Sequence, residues 1–105
     1  MVRSDRRINF TDAAKRDIAE IRTYTLKEWG ERQRDAYLAK LETKFTQLCA
    51  APELGGDRSW MMAGVRSHSA GSHIIYYQDT GKKFTIVRVL HKSMDAERHL
   101  STWKN

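Results

Sequence analysis

The sequence predicts an α+β fold in the order β-α-α-β-β-β, in which a helical hairpin packs on one face of an antiparallel sheet. Two long stretches, 12–29 and 31–51, carry apolar residues at helical spacing and meet at Gly30. Three shorter stretches follow that are rich in β-branched and aromatic residues and are separated by glycine-containing turns. A chain of 105 residues, 1–105, fits a single domain with this architecture.

The first strand and the two helices have recognisable ends. Residues 6–10 alternate between polar and apolar side chains, which favours a strand. Thr11 stands where it can cap the first helix, and Gly30 suits the left-handed position that follows it. Pro52 ends the second helix at or before Ala51, because proline disfavours helical backbone in the residue before it. The short break at Gly30 predicts a helical hairpin.

The second half of the chain predicts a three-stranded meander followed by a short helix. The strands are expected at 65–69, 73–78 and 84–90, with turns at Ala70-Gly71 and Thr80-Gly81. Residues 94–103 favour one more helix, with Ser93 as its cap.

Two-residue turns would set the strand register and gather positive charge on one face. They pair His68 with His73 and His73 with Arg88, and side-chain alternation then places four residues on the open face: Arg66, His68, His73 and Arg88. The floor of this face is formed by Ile75, Ile86 and Phe84. The opposite face, expected to pack on the helices, contains Val65, Ile74, Tyr76, Thr85, Val87 and Val89. Because the arginines would face solvent, their replacement by alanine is expected to leave the fold nearly intact.

The histidine and arginine cluster has a second interpretation as an ordinary solvated sheet face. A metal site is disfavoured, because two histidines without a nearby cysteine or carboxylate make a poor zinc set and the arginines repel a cation. The sequence contains no Gly-rich phosphate loop and no paired carboxylates, and Cys49 fits a small core residue better than a nucleophile. We therefore expect neither a metal nor a cofactor.

The charge distribution suggests an acidic partner. The net charge is +6, and residues 58–92 contain six lysines and arginines but one acid, Asp79. Such a basic half suits an acidic protein tail, nucleic acid or a protein–DNA complex, although a merely soluble basic surface is the alternative. The single cysteine permits no intrachain disulfide, and no apolar run has the length of a membrane span or a secretion signal. We therefore expect a cytoplasmic protein.

The tryptophans divide between packing and partner binding. Trp60 lies beside Met61 in the loop-like stretch 53–63, where an exposed partner site and a lid over the core are both open interpretations. Trp29 is interpreted as a packing residue.

Several blocks combine residue type, order and spacing in a way that is typical of one family. They are Ala14…Asp17-Ile18…Ile21…Tyr24, Trp29-Gly30, Ala36-Tyr37-Leu38, Pro52…Gly55-Gly56, Gly64-Val65-Arg66, Ser72-His73-Ile74-Ile75-Tyr76-Tyr77 and Ile86-Val87-Arg88-Val89-Leu90-His91…Met94-Asp95. Through these blocks the chain resembles the ParE branch of the RelE/ParE toxin superfamily over nearly its whole length.

The resemblance implies a toxin of a type II toxin–antitoxin system. Its implied partners are a cognate ParD-like antitoxin, in a heterotetramer or larger assembly, and DNA gyrase, which ParE-type toxins trap on cleaved DNA. The chain would then not be an enzyme, and it would meet nucleic acid only indirectly, through gyrase–DNA. Because one fold hosts several functions, the resemblance leaves open the RelE-type alternative, a ribosome-dependent mRNA endonuclease.

A residue-by-residue comparison favours gyrase. Arg66 and Arg88 resemble two arginines of the RelE-type nucleases, and His91 could act as an acid or base. The lysine pair of those nucleases is replaced here by 60–62, Trp-Met-Met. A plain nucleic-acid-binding domain is a third hypothesis. We predict contacts with the target or the antitoxin at Trp60, Met61, Arg66, His73, Ile75, Arg88, His91, Met94 and Trp103.

Overall fold

Two helices, α1 (Asp12–Trp29) and α2 (Glu31–Ala50), form the helical hairpin expected from the sequence. In the computed structural model, which describes residues 6–100, the Thr11 hydroxyl accepts a hydrogen bond from the Ala14 N–H at 3.0 Å, which confirms the predicted cap. Gly30 has a φ of 86° and donates its N–H to the Leu26 carbonyl at 3.0 Å. A positive φ is costly for any residue with a Cβ, so glycine allows the chain to reverse here.

The five strands form one mixed sheet in the order β1-β5-β4-β3-β2. Their bounds are β1 Ile8–Phe10, β2 Gly56–Asp57, β3 Val65–Ala70, β4 His73–Asp79 and β5 Phe84–His91. The three strands of the meander are confirmed to within one residue. The expectation of a purely antiparallel sheet is wrong, because β1 pairs with β5 in parallel. The three strands of the meander take the central positions of the sheet. The first strand, β1, therefore pairs along the outer edge of β5. The stretch predicted as a loop after α2 adds a 3-10 turn, Pro52–Leu54, and the short strand β2.

The predicted strand register is wrong in both hairpins. Ala70 pairs with His73, so the first turn is Gly71-Ser72, and His73 pairs on its other side with His91 rather than with Arg88. Gly71 supplies the positive φ of 59° that this turn requires. The second connection is a longer loop, 80–83, in which the Asp79 carboxylate accepts the Gly81 N–H at 2.9 Å.

A bulge in β5 changes which side chains share a face. Tyr77 pairs with Ile86 and its neighbour Tyr76 pairs with Arg88, which leaves Val87 as an extra residue in β5. Strict alternation along β5 therefore fails beyond Ile86. His91 consequently lies beside His73, although simple alternation with the predicted register would have placed the two on opposite faces.

The sheet is covered on both faces, and the helices cover the face that the sequence analysis left open. The helix-facing core contains Ile75, Tyr77, Phe84, Ile86 and Val89 from the sheet together with Ala14, Ile21, Leu38, Leu41, Phe45 and Leu48 from the helices. The other face has a smaller core of Val65, Tyr76, Val87, Leu90 and Leu100, against which Met61, Met62, Ile74 and Ala96 pack. The predicted assignment of faces was thus wrong except for Val89, because the fully buried side chains of Ile75, Ile86 and Phe84 pack against the helices.

The last helix of the described chain, α3 (Ala96–Leu100), closes this smaller core with Leu100. Asp95 rather than Ser93 caps it, because the Asp95 carboxylate accepts the Arg98 N–H at 3.4 Å. Trp103 lies outside the described residues. Among residues 6–100, no helix has the length and apolar character needed to cross a membrane.

Replacement of Gly71 should cost more stability than replacement of Gly81. A Cβ at Gly71 would lie 2.7 Å from Cε1 and 2.8 Å from Oη of Tyr37, a ring that hydrogen bonds hold in place, whereas a Cβ at Gly81 meets nothing within 4 Å. Both positions have positive φ, at 59° and 89°. We expect Gly81→Ala to lower the free energy of unfolding by about 1 kcal/mol and Gly71→Ala by about 2–3 kcal/mol. Urea unfolding of both variants measures this, and equal losses would contradict the close contact with Tyr37.

Candidate functional site

An open groove of ≈ 880 Å³ runs between α1, the start of α2 and the ends of β4 and β5. Its lining contains Asp17, Glu20, Ile21, Tyr24, Thr25, Trp29, Gln33, Tyr37, Ser72, His73, Val89, His91, Ser93 and Met94. A concave surface of this size with mainly apolar walls and a few converging polar groups is typical of a binding site.

Large apolar side chains of this groove are exposed to solvent. Tyr24 is 62% exposed, Trp29 66% and Met94 45%. They lie on two separate elements, since α1 carries Tyr24 and Trp29 whereas Met94 follows β5. Exposed aromatic and methionine side chains that gather around one concavity indicate a surface for a partner. The interpretation of Trp29 as a packing residue was therefore wrong.

Tyr37 forms the polar centre of the groove at the turn between β3 and β4. Its Oη lies 2.6 Å from His73 Nδ1 and accepts the Ser72 N–H at 3.0 Å. The Ala70 carbonyl oxygen lies 3.3 Å from the same Oη. Burial raises the pKa of Tyr37, so the hydroxyl stays protonated near neutral pH. These bonds join α2 to the first hairpin and fix His73 at the groove.

His73 and His91 lie next to each other across the β4–β5 pair. Their rings meet edge to face, with centroids 5.3 Å apart. The Nδ1 of His91 accepts the Ser93 N–H at 3.1 Å and lies 2.8 Å from the Ser93 hydroxyl. Burial lowers the pKa of His73, and the neighbouring His91 lowers it further. His73 is consequently neutral at physiological pH.

An ion pair separates this groove from a polar extension along α1. Arg88 binds Asp17 through two hydrogen bonds of 2.7 Å, and the Val89 N–H donates to the same carboxylate at 2.9 Å. Both side chains are largely buried. The hydrogen bond to Asp17 raises the pKa of Arg88. The extension, of ≈ 680 Å³, is lined by Phe10, Thr11, Asp12, Ala13, Arg16, Asp17, Glu20, Arg88, Met94 and His99.

The structure brings together His73, His91 and Met94 of the predicted contact residues, since all three line the groove. Arg88 borders the polar extension, but its guanidinium is bound to Asp17. The expected open-face position of Arg88 is therefore wrong.

Four other predicted contact residues, all within the described part of the chain, lie away from the groove. The Arg66 guanidinium donates to the Gly55 carbonyl at 2.7 Å, and Met61 packs against the smaller core. Trp60 is 68% exposed, so its side chain is available for a contact. Ile75 is fully buried against the helices, and the prediction that it contacts a partner is wrong.

The sequence analysis missed the aromatic side chains that α1 and α2 give to the groove. Tyr24 and Tyr37 were noted only within family-like blocks, and Trp29 was otherwise interpreted as a packing residue. For Tyr24 and Trp29, the available signal was their position off the buried stripe of α1, which runs through Ala14, Asp17, Ile21 and Thr25. A large aromatic on the solvent side of an amphipathic helix is a sign of an interaction surface.

The described residues offer no set of three or more histidine, cysteine or carboxylate side chains that could hold a metal ion. Cys49 is buried in the core, its thiol pKa is raised chiefly by burial, and its Sγ lies 3.8 Å from the Arg6 carbonyl oxygen. This thiol is therefore a packing group, as the sequence suggested.

Comparisons with known proteins agree on one family. The family model described as the ParE toxin of the type II toxin–antitoxin system parDE matches residues 8–96. The chain is 36% identical over 87 residues to Toxin ParE1 of Caulobacter vibrioides, covering 83% of this chain and 90% of that protein. It is 37% identical over 89 residues to Toxin ParE1 of Mycobacterium tuberculosis strain H37Rv, covering 84% and 91%.

A solved structure shares the fold. One chain of the chromosomal ParDE TA system from P. aeruginosa superposes with a TM-score of 0.70 at 17% identity, covering 84% of this chain and 97% of that chain.

Arg88→Ala should destabilise the protein substantially, contrary to the expectation from the sequence. The variant leaves the Asp17 carboxylate buried without its cation, which costs about 3 kcal/mol in the free energy of unfolding. Arg66→Ala is the matched control, because it removes one hydrogen bond to a carbonyl and should cost about 1 kcal/mol. Urea unfolding at neutral pH compares the two variants. A loss below about 1 kcal/mol for Arg88→Ala would show that the ion pair contributes little.

Proposed function

We propose that this protein poisons DNA gyrase and is neutralised by a cognate ParD-like antitoxin, because the chain belongs to the ParE toxin family of type II toxin–antitoxin systems. The observation that carries the proposal is the family match over 8–96. The assembly would be a heterotetramer or larger, located in the cytoplasm. No cofactor takes part in this function.

The groove is the proposed docking surface for the antitoxin. Its exposed Tyr24, Trp29 and Met94 offer apolar area to a helical or extended segment. A segment that folds as it binds can cover both this groove and the helical hairpin beside it. The net charge of +6 favours an acidic segment through charge complementarity.

The state of the arginines supports gyrase inhibition over RNA cleavage. A nuclease must hold several cations around one phosphate, in a geometry that stabilises the transition state. Here Arg88 is bound to Asp17, and Arg66 donates to a backbone carbonyl. A gyrase poison needs only a surface that complements its target. Trp60 and the segment after β5 stay candidate contacts for gyrase or the antitoxin, and nucleic acid is met only through gyrase–DNA.

A paired assay tests the choice of target. The purified toxin, freed of antitoxin, is added to gyrase with supercoiled plasmid and separately to translating ribosomes with a defined mRNA. We expect cleaved plasmid or blocked supercoiling, and intact mRNA. Codon-specific cuts in the mRNA with gyrase unaffected would overturn the proposal and make Arg66, Arg88 and His91 candidates for catalysis.

Trp29→Ala should weaken antitoxin binding without unfolding the toxin. Aromatic side chains at the centre of an interface commonly contribute 2 kcal/mol or more, so we expect a loss of affinity of about 30-fold. Because Trp29 is 66% exposed, the free energy of unfolding should change by no more than about 0.5 kcal/mol. Leu54→Ala is the matched control, since Leu54 is 55% exposed and lies outside the groove. Isothermal titration with the antitoxin measures both variants, and equal affinities would argue against the groove as the docking surface.

A further inference from the structure

The two histidines of the groove have their Nδ1 atoms occupied by hydrogen bonds within the chain. The Nδ1 of His91 accepts the backbone N–H of Ser93 at 3.1 Å. A backbone N–H only donates, so this nitrogen carries no proton when the ring is neutral. The proton of neutral His91 therefore lies on Nε2.

The same assignment follows for His73 through Tyr37. Tyr37 Oη already accepts the Ser72 N–H at 3.0 Å, so its own proton is free to be donated. His73 Nδ1 at 2.6 Å is a closer acceptor than the Ala70 carbonyl oxygen at 3.3 Å. With the Tyr37 proton on this shorter contact rather than on the Ala70 carbonyl, neutral His73 also carries its proton on Nε2. Within the part of the chain that the structure describes, neither Nε2 has a hydrogen-bond partner.

We propose that His73 and His91 form a carboxylate subsite, in which their Nε2–H groups bind an Asp or Glu side chain of the antitoxin segment that fills the groove. The inference rests on the proposed function, because it names the chemistry of the partner at that surface. A carboxylate has two oxygens and only accepts hydrogen bonds, so it can serve two donors at once. The ring centroids lie 5.3 Å apart, a separation that the two oxygens of one carboxylate can bridge.

The charges around the histidines place the subsite at one end of the groove. Asp17 faces His73, but its charge is offset by the Arg88 guanidinium at 2.7 Å. Glu20 lines the groove and its polar extension and would repel a second carboxylate there. The histidine end is bordered instead by Tyr37 and by the Ser72 and Ser93 backbone.

Binding of a carboxylate should be accompanied by uptake of a proton at His73. Burial and the charge of His91 disfavour protonation of His73, whereas the negative charge of a bound carboxylate favours it. A ligand that prefers the protonated ring raises the pKa of that ring, so affinity must rise as the pH falls from about 7 towards 6. The apolar walls of the groove strengthen this hydrogen bond by excluding water.

The test uses two probes of the same shape, 3-phenylpropionate and its neutral amide 3-phenylpropanamide. Imidazole nitrogen and carbon resonances of the purified chain are followed by NMR across the titration. We expect the carboxylate to shift the resonances of His73 and His91 and to raise the pKa of at least one ring. The amide should bind at least about tenfold more weakly, because it lacks the charge-assisted hydrogen bonds.

Histidine variants identify the groups responsible. His91→Gln and His73→Gln should each weaken 3-phenylpropionate binding about tenfold. His68→Gln is the matched control, since the His68 ring bonds to the Ser69 carbonyl outside the groove and should leave binding unchanged. Equal binding of carboxylate and amide, no resonance shift, or unchanged affinity in His91→Gln would overturn the subsite. Because neither gyrase nor antitoxin is present, such a failure would leave the Trp29→Ala result and the gyrase assay to decide the proposed function separately.

Discussion

The ion pair between Asp17 and Arg88 joins the two halves of this fold. Asp17 lies in the middle of α1, and its carboxylate receives two hydrogen bonds from the Arg88 guanidinium and one from the Val89 N–H. These contacts lie on β5 beyond the last residue that pairs with β1. They therefore hold the helix against a strand edge that no other strand among residues 6–100 covers. A charged pair this deeply buried is stable only when its partners are complete, which makes the position of α1 well defined.

The groove lies along α1, which is held at this edge of the sheet. Thr11 fixes the near end, since its N–H donates to the Ile86 carbonyl at 3.1 Å and its hydroxyl donates to the Val87 carbonyl at 2.7 Å. Tyr24 and Trp29, further along the helix, then stand opposite the end of β5 with their side chains exposed. Helix α1 thus packs its buried stripe into the core and presents its aromatic side chains to a partner.

Local features of the fold could be predicted from the sequence, whereas the register could not. The cap at Thr11, the break at Gly30 and the end of α2 before Pro52 depend on residues next to each other in the chain, and all three are confirmed. The first turn, Gly71-Ser72, is stabilised by Tyr37 in α2, which accepts the Ser72 N–H. Such a contact, 35 residues away in the sequence, leaves no local signal. The register error did not cause the wrong faces, because a shift of two residues in each hairpin leaves every side chain on its own face. The wrong faces arose because the helices were expected on the opposite side of the sheet, and the bulge at Val87 put Val89 on the face opposite Val87.

In the candidate site, too, some features could be predicted from the sequence and others could not. His73, His91 and Met94 were predicted as contacts from blocks of sequence, and the structure brings them together with Tyr24, Trp29 and Tyr37, which were not predicted. The neutralisation of Arg88 by Asp17 could not be seen, because 71 positions separate the two residues. Charge counted along a strand overestimates the charge that a partner meets when a helix supplies the counterion.

Fluorine NMR can show whether the antitoxin occupies the groove beside α1. The chain contains three tryptophans, which can be labelled with 5-fluorotryptophan and assigned by single Trp→Phe substitutions. On addition of the antitoxin, we expect the Trp29 resonance to shift and to lose its solvent isotope effect, because its exposed ring becomes buried. A Trp29 resonance that keeps its shift and its solvent isotope effect in the saturated complex would show that the antitoxin does not occupy the groove.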